Sequence, residues 1–137
     1  MKARIMKVSY ALLLVAILMG LAGCSAGEPI VVELANSGAT ATISTGDLLD
    51  ARLESNPTTG YGWEVIEVDE TILARQEEPE YVEARGEPLQ VMGAGGWQVF
   101  HFKANQAGQT TLKMVYRRSW ETDVEPERTF ELTVVVE

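Results

Sequence analysis

His101 is the only histidine of this 137-residue chain and Cys24 its only cysteine, which leaves little room for catalysis. A nucleophilic triad needs a base held beside an activated nucleophile and oriented by an acid. His101 lies in the segment Trp97–Ala104 on the face opposite Phe100 and Phe102, the ordinary place of a solvated strand histidine. One His and one Cys do not assemble a typical zinc site. The 20 Asp and Glu residues allow a glycosidase-like pair by number, yet none stands at a telling spacing. Thr122–Glu127 carries three acids without the Gly-punctuated spacing of a calcium loop. The residues predict no enzyme, no cofactor and no metal.

Three irregular segments carry more information. In Ser55-Asn56-Pro57-Thr58-Thr59-Gly60-Tyr61, Asn56 caps a turn, Pro57 presets φ and Gly60 permits φ > 0. The spacing predicts a tight turn with Thr58 and Thr59 at its tip, their hydroxyls and methyls facing outward. The second segment runs Leu89-Gln90-Val91-Met92-Gly93-Ala94-Gly95-Gly96-Trp97. Its three glycines read as backbone that a partner approaches closely rather than as packing, behind two exposed apolar side chains, Val91 and Met92. A phosphate-binding loop needs a helix N-terminus and usually a lysine, whereas a strand follows here. The alternative is a flexible hairpin tip. The third segment, Tyr116-Arg117-Arg118-Ser119-Trp120-Glu121, places an Arg and a Trp at a loop tip, residue types that dominate binding hot spots. Its plain alternative is an Arg–aromatic stack that steadies the loop.

The elements that hold these segments have period two. Leu49, Ala51 and Leu53 alternate with Asp50, Arg52 and Glu54, Phe100, Phe102 and Ala104 with His101 and Lys103, Leu112, Met114 and Tyr116 with Lys113 and Arg117, and Phe130, Leu132, Val134 and Val136 with Glu131 and Thr133. Such alternation marks half-buried antiparallel strands. Ile30–Leu34 and Thr40–Thr45 add β-rich edges. In Tyr61–Val68 the apolar set shifts from Trp63 and Val65 to Ile66 and Val68, which predicts a bulge or burial on both faces. Asp69–Ala74 offers one short turn, and no segment makes a convincing amphipathic helix. About seven to eight short strands predict an all-β antiparallel sandwich. The missing Cys-Trp-Cys pattern excludes a disulfide-bonded antibody-type domain.

The N-terminus predicts export. Lys2, Arg4 and Lys7 precede an apolar run and the sequence Leu21-Ala22-Gly23-Cys24, the layout of a secretory signal. Leu-Ala-Gly-Cys resembles a bacterial lipobox, in which Cys24 takes a lipid and becomes the new N-terminus. An ordinary cleaved signal and an uncleaved helix are the alternatives. The run from Val8 to Gly27 is long enough to span a bilayer, but its second half is poor in bulky side chains. Residues 1–23 then form the signal, 24–29 a tether and 30–137 one domain. Removing residues 1–23 takes three of the 11 basic residues and none of the 20 acidic ones, leaving a formal charge of −12. This surface repels nucleic acid and anionic head groups. It serves solubility and equally suits a basic partner.

Taken in order, the three segments resemble the chagasin-type inhibitors of papain-family cysteine proteases. The signatures of that family are Asn-Pro-Thr-Thr-Gly-aromatic, a Gly-x-Gly-Gly loop and Arg-Pro-Trp. Asn56, Pro57, Thr58, Thr59, Gly60 and Tyr61 match the first, Gly93, Ala94, Gly95 and Gly96 the second, and Arg118 and Trp120 the third. Ser119 stands where the family has proline. The resemblance covers about residues 46–136 and implies an immunoglobulin-like sandwich whose three loops wedge into a protease cleft. Thr58 and Thr59 would then lie over the catalytic Cys–His pair. Val91 to Gly96 would run along the substrate side, with Met92 near an apolar subsite, and Arg118 and Trp120 would meet the primed side. The implied partner is a papain-family, cathepsin-like protease; the lipid anchor adds a membrane, and nucleic acid is excluded. A competing expectation is a non-inhibitory cell-surface or envelope-assembly module that binds through an exposed sheet face, best supported by Trp97, Val99 and His101. Clustering of the three loops at one end separates the two.

Overall fold

The computed structural model describes residues 27–84 and 95–137. The predicted signal, Cys24 and the first part of the tether lie outside the described residues, as do Val91, Met92, Gly93 and Ala94. Nine strands follow in chain order: β1 (Ile30–Val32), β2 (Thr40–Ile43), β3 (Leu48–Ser55), β4 (Tyr61–Glu67), β5 (Leu73–Arg75), β6 (Glu80–Glu83), β7 (Gly96–Ala104), β8 (Gly108–Arg118) and β9 (Arg128–Val136). They form two sheets. One has the order β1-β3-β7, with β5 and β6 both paired to the far edge of β7; the other has the order β2-β9-β8-β4.

The period-two residues make the core. Leu49, Ala51, Leu53, Phe100, Phe102 and Ala104 come from the first sheet, and Trp63, Leu112, Met114, Phe130, Leu132 and Val134 from the second. Because alternate side chains of a strand point to opposite faces, each inner face is apolar and the only way to cover both is to stack them. Burying a large aliphatic or aromatic side chain contributes about 1.5–3 kcal/mol, so this layer dominates the stability.

Three features depart from the sequence expectation. Among the described residues the strands number nine because β5 and β6, three and four residues long, lack a readable pattern; every residue of β6 is exposed. The pairing is not wholly antiparallel. β1 runs parallel to β3, with Ile30 opposite Leu49, and β2 runs parallel to β9, with Ile43 opposite Val136. The N-terminal segment climbs along one sheet, turns at the short 3-10 helix Leu34–Asn36 and descends along the other. Each half buries one apolar residue, Val32 and Ile43, at a sheet edge.

The third departure is that Asp69–Ala74 divides between a turn and β5. The Thr71 hydroxyl and N–H donate to the Asp69 carboxylate at 2.6 and 2.9 Å and hold its carboxyl below the ordinary carboxylate range.

In Tyr61–Val68, the expected shift of the apolar set is a bulge. Val65 pairs with Met114 and Glu67 with Lys113, leaving Ile66 as the extra residue. It is 47% exposed, since a bulge removes one residue from the alternation. Two apolar strand residues therefore have different fates. Phe102→Ala is expected to lower unfolding free energy by about 3–5 kcal/mol and Ile66→Ser to change it by less than about 0.5 kcal/mol, both read by urea denaturation.

Candidate functional site

Strand register decides where the three segments meet. Ser55, the last residue of β3, pairs with Gly96, the first of β7. Gly96 also pairs with Glu83, the last residue of β6. In the other sheet Tyr61 pairs with Arg118 and Tyr116 with Arg128. The β3–β4 loop, the described ends of the β6–β7 loop and the β8–β9 loop therefore emerge at one end of the sandwich. We call it the loop pole.

The first loop is built around Asn56. Its side-chain oxygen accepts from the Thr58 N–H at 3.2 Å and the Thr58 hydroxyl at 2.6 Å. The Thr59 hydroxyl donates to the Asn56 carbonyl at 2.7 Å. Pro57–Thr59 thus coils into one 3-10 turn, with Pro57 at its first position and Gly60 closing it at φ 79°. The tip is exposed as expected, but the hydroxyls are not turned outward for a partner: both donate within the loop. Their role is to fix its shape.

The third loop leans on the first. Arg118 donates through Nε to the Thr59 carbonyl at 3.1 Å. Its guanidinium lies 4.6 Å from the Tyr61 ring centroid and 3.4 Å from Glu121. The stack that steadies the loop is present, and it is Arg118 that makes it. Trp120 is 68% exposed, yet its indole rests against Gly60. A Cβ on Gly60 would stand 2.7 Å from the Trp120 Cη2. Gly60 is thus required twice, by its left-handed backbone and by the indole. Ser119 follows Arg118 in a turn closed by the Glu121 N–H donating to the Arg118 carbonyl at 3.0 Å. That is position i+1, where proline is favoured.

Of the second loop, Gly95 and Gly96 are described. Gly96 corrects the reading that its glycines serve no packing. It is buried between β3 and β6, and a Cβ there would run into the Val82 carbonyl and lie 2.9 Å from the Tyr81 hydroxyl. The backbone that approaches it is the chain's own.

The sequence marks Tyr116 only as an inward strand residue. It proves to tie the loop to the core. Its hydroxyl accepts the Asn56 N–H at 3.0 Å. Its ring stacks on Tyr61 at 5.4 Å and tilts against Trp63 at 5.2 Å. The available signal was an aromatic residue with a polar tip at the loop end of an otherwise aliphatic strand face. Beside it, the Trp63 indole N–H donates to the Glu54 carbonyl at 2.8 Å. Gln98 reaches between the sheets to accept the Trp63 N–H at 2.8 Å.

The outer face of β7 offers less than expected. Val99 is buried, and the Arg52 guanidinium lies 4.1 Å from the Trp97 ring centroid. His101 points outward as predicted, with Nδ1 2.8 Å from Asp50 and Nε2 3.9 Å from Glu80. With His101 hydrogen-bonded to Asp50 and Trp97 covered by a guanidinium, this is not an open apolar face. Among the described residues no group of three His, Cys, Asp or Glu side chains is placed to hold a metal ion.

The model of the family described as "Chagasin family peptidase inhibitor I42" matches residues 42–134. The chain belongs to this family. Its members are inhibitors, not enzymes. The chain is 33% identical to Amoebiasin-2 of Entamoeba histolytica over 98 residues, 72% of this chain and 77% of that protein. It is 35% identical to Chagasin of Trypanosoma cruzi over 91 residues, 65% of this chain and 81% of that one. Among solved structures, a cysteine protease inhibitor of Entamoeba histolytica superposes with a TM-score of 0.65 at 26% identity, over 79% of this chain and 94% of its own. The immunoglobulin-like sandwich implied by the resemblance is the fold of this chagasin-family domain.

Tyr116→Phe removes the acceptor of the Asn56 N–H and keeps the ring. It is expected to lower unfolding free energy by about 0.5–1.5 kcal/mol, the usual net value of one hydrogen bond. Thermal and urea denaturation check this, and a change below about 0.3 kcal/mol would show that the bond contributes little.

Proposed function

We propose that the domain is a reversible, competitive inhibitor of papain-family cysteine proteases that enters the active-site cleft with its loop pole. The observation that carries this reading is the gathering of the first and third signature segments and the described end of the second, Gly95 and Gly96, at one end of a rigid sandwich. Proteins named as inhibitors of cysteine proteases share the fold, and the family match spans the same segments.

The geometry supplies the inhibition chemistry. A reactive cysteine cuts a peptide that lies extended along the cleft. Thr58 and Thr59 are instead wound in a 3-10 turn, and three successive backbone N–H groups from Thr58 to Gly60 bond within it. The loop fills the place of a substrate without presenting an extended scissile bond. Because the turn is already formed, little conformational entropy is lost on docking, and contact area converts into affinity more fully.

Asn56, Pro57, Thr58, Thr59, Gly60 and Tyr61 form the central wedge over the catalytic pair. Val91 to Gly96 flank it on the substrate side, with Met92 near an apolar subsite. Trp120 supplies the primed-side aromatic contact, and Arg118 holds the wedge and the third loop together. The lipobox reading places the domain outside the inner membrane, anchored through Cys24 after loss of residues 1–23.

Titrating papain with residues 27–137 is expected to give competitive inhibition. Its absence at micromolar concentrations against several papain-family enzymes overturns the proposal. The combined variant Thr58→Ala, Thr59→Ala and Trp120→Ala is expected to abolish inhibition while leaving the far-ultraviolet circular dichroism unchanged. Surviving inhibition would place the binding surface elsewhere.

Ser119→Pro follows from the turn at Arg118–Glu121. Proline at a compatible site stabilises a fold by about 0.4–1 kcal/mol by restricting the unfolded chain; a comparable restriction of the unbound loop is expected to tighten inhibition about two- to fivefold, mainly through slower dissociation. Weaker binding would mean that the serine backbone does not match that of the family proline.

A further inference from the structure

The direction of β1 orients the whole molecule. β1 runs parallel to β3, with Ile30 opposite Leu49 and Val32 opposite Ala51. β3 itself runs toward the loop pole, ending at Ser55. The chain therefore enters the fold at the other end, next to Leu49.

That far end is a closed pole of its own. The Gly46 N–H donates to the Ala104 carbonyl at 2.8 Å and the Ala104 N–H to the Asp47 carbonyl at 2.9 Å. The Asn105 N–H donates to the Ile72 carbonyl at 2.9 Å and the Thr45 N–H to the Glu137 carbonyl at 2.9 Å. The β2–β3, β4–β5 and β7–β8 turns and the end of β9 thus meet where the tether arrives. Asp69, Glu70 and Glu137 are exposed there and Asp47 is half-buried; these carboxylates neither insert into a bilayer nor attract anionic head groups.

We infer that the anchored protein stands with this N-terminal pole toward the bilayer and its three loops pointing into the aqueous space, so that it inhibits while still attached. The inference rests on the lipid anchor proposed at Cys24. From Cys24 to Ile30 a fully extended tether spans at most about 22 Å, at roughly 3.3–3.6 Å per residue. The eight residues of β3 add about 26 Å at some 3.3 Å each. The partner this arrangement fits is a protease arriving from solution, with a cleft that opens away from the membrane carrying the inhibitor. The short tether keeps the attachment pole nearest the bilayer by preventing wide excursions, and the carboxylates there keep that pole from inserting.

The test uses the full chain, expressed in a lipoprotein-processing bacterium and reconstituted in phosphatidylcholine–phosphatidylglycerol vesicles with an acceptor dye on the head groups. A lipidated Cys24 has no free thiol, so single Asp47→Cys and Asp123→Cys variants each take one donor dye. Asp47 lies at the N-terminal pole and Asp123 in the β8–β9 loop. Energy transfer to the membrane is expected to be at least twofold stronger from position 47 than from position 123. Equal or reversed transfer overturns the orientation. Vesicle-bound and detergent-released protein are expected to inhibit papain with constants within threefold of each other, and a loss of more than tenfold on anchoring overturns it as well. Mass spectrometry showing no lipid on Cys24 removes the anchor and the orientation with it. The released protein reports separately on the inhibitory reading, because its failure to inhibit leaves the energy-transfer result standing.

Discussion

The hydrogen bond from the Asn56 N–H to the Tyr116 hydroxyl joins the core of the sandwich to its working end. Tyr116 sits at the last inward positions of β8, braced by Trp63 and Tyr61. Through it the first loop inherits the rigidity of two packed sheets. Asn56 then passes that rigidity on to Thr58 and Thr59, whose hydroxyls return to it. Arg118 and Trp120 close the arrangement from the side, one bonded to Thr59 and the other lying on Gly60. Each bond is individually modest, near 1 kcal/mol net. Together they hold an exposed loop in one conformation before any partner arrives.

This division of labour explains residue types that look interchangeable in the sequence. Arg118 and Trp120 belong to one motif, but the arginine is turned inward to the loop and the tryptophan is largely exposed. Thr58 and Thr59 offer hydroxyls that resemble recognition groups and act as internal struts. Gly60 and Gly96 are both small for steric reasons, the first because an indole lies on it and the second because β6 crosses it. Basic side chains at the loop pole have acidic neighbours, Arg117 with Glu64 and Arg118 with Glu121, so its residues face a partner with contact surface more than with free charge.

The two poles of the domain differ in the same physical terms. The loop pole carries exposed Pro57, Thr58, Thr59 and Trp120 on a stiff base. The opposite pole is stitched by backbone hydrogen bonds and fringed by carboxylates. A sandwich whose N-terminal strand runs parallel to β3 separates these two surfaces by its full length, which is what the proposed anchoring at Cys24 requires if attachment and binding are not to compete.

The amino-acid order alone determined the class of fold, because period two with apolar inner faces has few stable solutions other than stacked sheets. It also pointed to a bulge or two-sided burial in Tyr61–Val68, which strand register resolved as a bulge at Ile66, to the tight turn at Asn56–Gly60 and, through three spaced motifs, to the family. It did not reveal β5 and β6, whose short exposed stretches carry no alternation, or the parallel pairing of β1 and β2, since alternation is the same in either direction. Only the tertiary structure brought the loops to one pole, because that depends on register between strands far apart in the chain. It likewise decided that Tyr116 holds Asn56, that Arg118 buttresses while Trp120 is presented, and that Val99 is covered. These are choices among partners, and a partner's position is a property of the packed sheets rather than of any local run of residues.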